Sequence, residues 1–366
     1  MPNPSTDSLR VSFLTQGEQS AADVAARYAR FVAGARQSLD IAWYDFRLSQ
    51  PLERTVADAL DERSQAGVAV RIVYDADKPE PPPTSAGMDP APSGTGAHVQ
   101  ALGHPFRRIG GMKLMHNKYT VRDAGTPFAA IWTGSTNFTD DAWTLQDNNI
   151  VELSSPLLAT YYARDFSDLW ETGTMEGAGA FATEADSSLT YAGESLTARV
   201  MFSPGRGHEI DTEVARIVSQ ATRRIRICSM LLNSGTLLNA LLDHLDAGSV
   251  AVDGVYDKTQ MDGVLYQWQS VPSNHWKIPA VRDIAQRAAL VGKRSRPYSP
   301  GNPHDFMHNK VIVVDDTVIT GSYNFSRSAE QNAENVLFLH STALAETYSR
   351  YIDHLKAVYG HATPAR

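Results

Sequence analysis

Twice in this chain a histidine stands two residues before a lysine, with an aspartate five residues beyond the lysine: His116, Lys118 and Asp123, then His308, Lys310 and Asp315. On a strand, residues two apart project from one face, so an imidazole and an ammonium can meet one small anionic group. Phosphate suits that pair. An imidazole near neutral pH can attack phosphorus or donate a proton, while the ammonium compensates charge on the non-bridging oxygens. One copy would read as an exposed or internally satisfied pair. Two copies in otherwise diverged halves point to shared chemistry. Each motif is followed by a second repeated segment, Gly134-Ser135-Thr136-Asn137-Phe138 and Gly321-Ser322-Tyr323-Asn324-Phe325. A histidine working this way needs an acceptor on its other ring nitrogen. Aligning Asn137 with Asn324 sets Asp147-Asn148 opposite Glu334-Asn335, which makes Asp147 and Glu334 the candidate acceptors. A slip of one residue would bring Asn148 to that place instead.

The elements that must position these residues are also doubled. Val68-Ala69-Val70-Arg71-Ile72-Val73-Tyr74-Asp75 is echoed by Val250-Ala251-Val252-Asp253-Gly254-Val255-Tyr256-Asp257. Ahead of each echo the pattern predicts a helix (22–36; 213–223), an apolar strand (39–46; 225–232) and a second helix (52–66; 236–247). After each histidine the apolar segments read as hairpins, 119–121 with 128–133 and 311–314 with 318–320. Alternating helix and strand with hairpins predicts an α/β fold built on mixed sheets. The Pro- and Gly-rich stretch 77–111 reads as a loop. Its counterpart 258–306 is longer and predicts a helix over 280–290. Residues 173–195 show no sustained period and read as a linker, giving halves 1–172 and 196–366.

Composition narrows the classes. The chain has 366 residues, 42% hydrophobic and 20% charged, which excludes global disorder. Lys and Arg total 33 against 41 Asp and Glu, a formal charge of -8, so a surface for a polyanion has to be local. The one cysteine, Cys228, sits in an apolar run and excludes a disulfide scaffold or a cysteine zinc site. The amino terminus carries no secretory pattern and no stretch suits a membrane span, so a cytoplasmic monomer is expected. Basic segments lie before both motifs, and Arg107, Arg108, Lys293, Arg294 and Arg296 are the candidate substrate contacts. Trp268, Trp276, Tyr266 and Phe106 lie in the same insertions, with Trp268 the candidate ring for stacking on bases. Met261, Val264, Leu265 and Trp268 equally read as an apolar cluster for transient contact with a lipid interface.

The two motifs with their Gly-Ser and Asn positions resemble the doubled signature of the phospholipase D superfamily. The second, through Ser326-Arg327-Ser328-Ala329-Glu330-Gln331-Asn332-Ala333-Glu334-Asn335, is especially similar to the family's small bacterial nuclease branch. The spacing departs from the family's: five residues separate Asp315 from Gly321 and ten separate Asp123 from Gly134. The resemblance implies a pseudo-twofold α/β fold with both motifs at one site between the halves. It implies that one histidine, His116 by the family's habit, attacks phosphorus to form a phosphohistidine. The other, His308, protonates the leaving oxygen and then activates water. It assigns Lys118, Lys310, Asn137 and Asn324 to the phosphate oxygens, Ser135 and Ser322 to bracing, and Asp123 and Asp315 to structure, with no metal or cofactor required. A phosphodiesterase is therefore expected, with nucleic acid favoured as substrate. Phospholipid, by hydrolysis or transphosphatidylation, is the alternative, and a binding module without turnover is a second one.

Overall fold

The computed structural model describes residues 7–75, 94–299 and 302–360. Leu39 and Ile41 on one face and Ala42 on the other are fully buried, so the strand Ser38–Trp43 has to be covered on both sides. It pairs in parallel with Ala69–Tyr74, the first copy of the Val-rich echo, and antiparallel with Lys118–Arg122, which begins two residues after His116. The full sheet runs Leu9–Leu14, Asn148–Ser154, Ala130–Gly134, Lys118–Arg122, Ser38–Trp43, Ala69–Tyr74, Phe106–Arg108. The second half repeats that order: Glu194–Ser203, Glu334–His340, Thr317–Gly321, Lys310–Val314, Arg224–Ser229, Ala251–Asp257, Val291–Lys293, with Asp186–Tyr191 added at the first edge. Both sheets are mixed, as expected.

The outer face of the first sheet packs on helices Ala21–Ala33 and Leu52–Gln65, and that of the second on Gly207–Ser219 and Gly235–Ala247. Between the sheets lie two long helices, Pro156–Thr172 and Thr342–Gly360, and the largest core takes side chains from both helices and both sheets. Tyr162 of the first half meets Phe202 of the second edge-on, ring centres 5.1 Å apart. The two halves thus share one apolar interior.

Three expectations change. The stretch 77–111 is not a loop throughout: Thr95–Ala101 is helical and Phe106–Arg108 extends the sheet, while 77–93 falls outside the described residues. The stretch 173–195 contains the strand Asp186–Tyr191, paired antiparallel with Glu194–Ser203 across a turn whose Ala192 and Gly193 take φ of 52° and 78°. Its Ser and Thr content hid it, since the buried Leu189 is the main apolar anchor between Asp186 and Tyr191. The helix expected over 280–290 runs Lys277–Arg287 and is preceded by a further helix, Lys258–Trp268. Among the described residues no helix is long and apolar enough to cross a membrane.

Candidate active site

Each histidine enters the site on backbone supplied by the other half. The His116 N–H donates to Ala333 O at 2.8 Å and the His308 N–H to Asp147 O at 3.0 Å, so each motif is bridged to the segment opening the other half's last sheet strand. The aspartates that end the Val-rich echoes grip the residue just before each histidine. Asp75 accepts the Met115 N–H, and Asp257 accepts the Met307 N–H at 2.9 Å. The repeat itself was the signal for these two carboxylates, whose use the sequence reading left open. Gly134 and Gly321 have φ of 134° and 145°, and a Cβ there would lie 2.3 and 2.2 Å from the Asn149 and Asn335 carbonyl oxygens. Only glycine fits.

The ring nitrogens distinguish the two histidines. His116 Nδ1 lies 2.7 Å from the Glu334 carboxylate, as the alignment expects. His308 Nδ1 lies 3.0 Å from Asn148 Oδ1, whose orientation is fixed by the Ser135 hydroxyl at 2.8 Å and by donation of its own amide to Ala142 O. Asp147 is therefore not the acceptor. The register slips by one, and Asp147 turns away to a buried ion pair with Lys293, 2.8 Å, also taking the Tyr359 hydroxyl and the Gln16 N–H. Lys293 is thereby removed from the candidate substrate contacts.

Lys118 and Lys310 are buried, and each Nζ donates to the carbonyl of its own motif's histidine at 2.7 Å. The Tyr44 ring lies 4.6 Å from the Lys118 ammonium and 4.6 Å from the His116 ring. Burial, with the two ammonium charges, holds both histidines well below the usual imidazole range. Burial likewise lowers Lys118 to about 7 and raises Glu334 to about 8. A cavity of about 580 Å³ opens over these groups, lined by His116, His308, Asn137 and Asn324 with Tyr44 and Lys113. Asn137 and Asn324 line the cavity wall, and their Oδ1 atoms are buried with no hydrogen-bond partner among the described residues.

Several predicted residues stand elsewhere. Asp123 accepts the N–H groups of Arg36, Gln37 and Ser38, and Asp315 those of Thr222, Arg223 and Arg224. They brace the far ends of the strands. Ser135 and Ser322 accept the Asn149 and Asn335 N–H groups at 3.0 Å. Trp268 is 7% exposed within the core of the second half, with Met261 and Leu265, so neither base stacking nor a lipid-facing cluster uses them. Arg107 donates to Trp170 O and Glu171 O, closing the end of a helix rather than facing the cavity. Arg108, Arg294 and Arg296 are exposed, and Arg296 adjoins Pro297 and Tyr298 of the cavity wall.

Residues 28–170 and 214–356 each match the family described as "Cardiolipin synthase, PLD-like domain". The chain belongs to this family. The phospholipase D resemblance read from the two motifs is thus borne out over both halves, and the PLD-like chain is an enzyme of the phosphodiesterase type. Among solved structures it is similar to phosphatidylserine synthase from Haemophilus influenzae Rd KW20, with TM-score 0.64, 14% identity, 94% of this chain and 86% of that one covered. It is also similar to polyphosphate kinase from Porphyromonas gingivalis, with TM-score 0.57, 10% identity, 94% of this chain and 46% of that one covered. The phospholipase D family member Nuc from Salmonella typhimurium matches over 45% of this chain and 94% of its own, at 24% identity and TM-score 0.33. No curated protein sequence matches the PLD-like chain.

Proposed function

We propose that this protein hydrolyses phosphodiesters through a covalent intermediate on His116, with His308 as the acid and base. The observation that carries the reading is the difference between the partners: a carboxylate on His116 Nδ1, an amide on His308 Nδ1. In the attacking form Glu334 is ionised and His116 carries its proton on Nδ1; when Nε2 bonds phosphorus the ring gains positive charge, and the carboxylate across the Nδ1–H···O bond stabilises it. The depressed basicity of His116 keeps its lone pair unprotonated at neutral pH. His308, protonated from solvent at Nε2 once the bound diester's negative charge offsets the burial and ammonium charges that depress it, gives that proton to the leaving oxygen as the phosphorus–oxygen bond breaks. Its amide partner fixes the tautomer without holding the imidazolium, so that proton is readily released. The now neutral His308 takes a proton from water, the resulting hydroxide attacks phosphorus, and the phosphorus–nitrogen bond breaks to restore His116. Lys118, Lys310, Asn137 and Asn324 hold the non-bridging oxygens throughout.

The substrate we propose is a single-stranded nucleic acid. Phe306, His304 and Tyr298 stack in succession at 4.9 and 5.0 Å along the cavity wall and end in a ring 39% exposed, a platform for a base. A phospholipid is the second reading, favoured by Met112 and Tyr266, 74% and 75% exposed beside the wall residues Lys113 and Gln267. Turnover of single-stranded DNA, RNA, duplex DNA and phosphatidylglycerol vesicles, measured side by side in EDTA, decides. Cleavage of single strands, lost in both His116→Ala and His308→Ala, is the expected result. Lipid turnover alone would replace the substrate, and no turnover of any diester would leave binding without catalysis.

A further inference from the structure

A second cavity, of about 650 Å³, shares no residue with the first and is lined by four arginines, Arg10, Arg27, Arg30 and Arg122. The sheet register fixes how far away it is. Lys118 begins its strand at the catalytic end, whereas Arg122 ends that strand, about 13 Å on at about 3.3 Å per residue. Arg10 lies directly opposite Glu152 across the neighbouring strand pair, again at the end away from Asn148. Arg27 and Arg30, three apart on helix Ala21–Ala33, turn one face to the same space.

The arginines are not neutralised where they stand. Arg122 also feels the neighbouring Asp123, and Glu152 stands amid all four arginines, with burial raising its pKa against the pull of their guanidiniums. Among the described residues no ion pair within 4 Å joins it to any of them. Asp7, at the rim, is engaged with the Ala192 and Gly193 N–H groups. Arg27 Nη1 and Arg122 Nε are buried without a hydrogen-bond partner among the described residues. The Arg122 guanidinium is nonetheless held rigidly, lying over the Phe31 ring and donating to Phe31 O at 2.8 Å. Buried N–H groups left unpaired on a fixed cation are costly unless an acceptor arrives.

We propose that this cavity binds an oligophosphate group, the diphosphate or triphosphate of a small soluble ligand. Guanidinium forks match phosphate oxygens two at a time, and four of them around Glu152 leave an excess of positive charge in a protein of formal charge -8. The volume exceeds what a single phosphate fills and lies in the range of small-ligand sites. The proposal is independent of the reading of the catalytic cavity.

Calorimetric titration of the full chain with pyrophosphate and with ATP tests it, with orthophosphate as the single-phosphate arm. Saturable one-to-one binding is expected for wild type and for His116→Ala, weakened at least tenfold in Arg27→Gln/Arg30→Gln. Arg27→Lys/Arg30→Lys, which keeps the charge and spares the helix, should recover part of the loss. No saturable binding, binding lost with His116→Ala but kept in the glutamine variant, or equal affinity for orthophosphate would each overturn the proposal.

Discussion

A buried ammonium is the costliest group in a site of this kind, and Lys310 is held well below its ordinary range by burial and then by the charge of Lys118. Burial brings Lys118 down to about 7, with Glu334, Asp45 and Asp75 pulling the other way. The sign of the pH effect follows. Below about 7 the ammonium is charged, as the proposed contact with a phosphodiester requires, and above it the charge is lost from the free enzyme. On the proposed mechanism we expect kcat/KM to peak between the Lys118 value of about 7 and the Glu334 value of about 8, falling on the acid side as Glu334 is protonated and on the alkaline side as Lys118 loses its charge. In Lys118→Arg, whose guanidinium stays charged, the alkaline limb should move up to that of Lys310, at a rate reduced about 10- to 100-fold by the altered geometry. A pH profile of both proteins decides, and an unchanged alkaline limb in the arginine variant would assign that limb to another group. The grouping of these residues at one cavity was legible in the sequence because His, Lys, Gly-Ser and Asn recur. The acceptor on His308 was not: Asp147 and Asn148 are neighbours, and only the ion pair with Lys293 draws Asp147 off the ring.

At the scale of elements, paired asparagines tie each motif strand to the opposite half. Asn335 donates to Asn117 Oδ1 at 2.9 Å and Asn149 to Asn309 Oδ1 at 3.0 Å. Asn117 in turn donates to Asp165 on the helix Pro156–Thr172, and the Tyr119 hydroxyl reaches the same carboxylate oxygen at 2.7 Å. Burial raises Asp165 from 3.8 to about 8, so near neutrality the folded chain holds a proton that the unfolded chain has released. This group therefore makes folding less favourable as pH rises from about 4 to about 8, by on the order of a few kcal/mol. Asp165→Asn keeps an acceptor for both donors and removes the titration. Its urea midpoint should gain on that of wild type steadily between pH 5 and about 8 and level off above, and a constant difference would mean the carboxyl is ionised throughout. Such side-chain links span 48 residues within a half, or 218 between halves, and leave no local pattern in the chain. Amphipathic helices and Val-rich strands do leave one, which is why the first helix-strand-helix-strand of each half was legible while Asp186–Tyr191, with its alternate polar residues, was not.

For the molecule as a whole, duplication sets two incompatible demands: the halves must be alike to bring two His-Lys pairs to one cavity, yet unlike to give one ring a carboxylate and the other an amide. The structure meets both by sharing the interior. Each half's last sheet strand opens beside the other half's histidine, and the central core draws on Tyr162, Phe202, Tyr348 and both sheets at once. Neither half can then unfold without exposing the apolar face of the other. Chains longer than about 150 residues commonly unfold in stages, domain by domain. Here a single transition is expected in scanning calorimetry, with equal calorimetric and van't Hoff enthalpies, and loss of catalysis coincident with it. Asn335→Ala strips the hydrogen-bond partner from Asn117, Thr133 and Tyr162 together. It should cost about 1–3 kcal/mol for each group left unpaired and lower the one transition without splitting it. Two resolved transitions, in wild type or in this variant, would mean that the halves fold separately and meet only at the cavity.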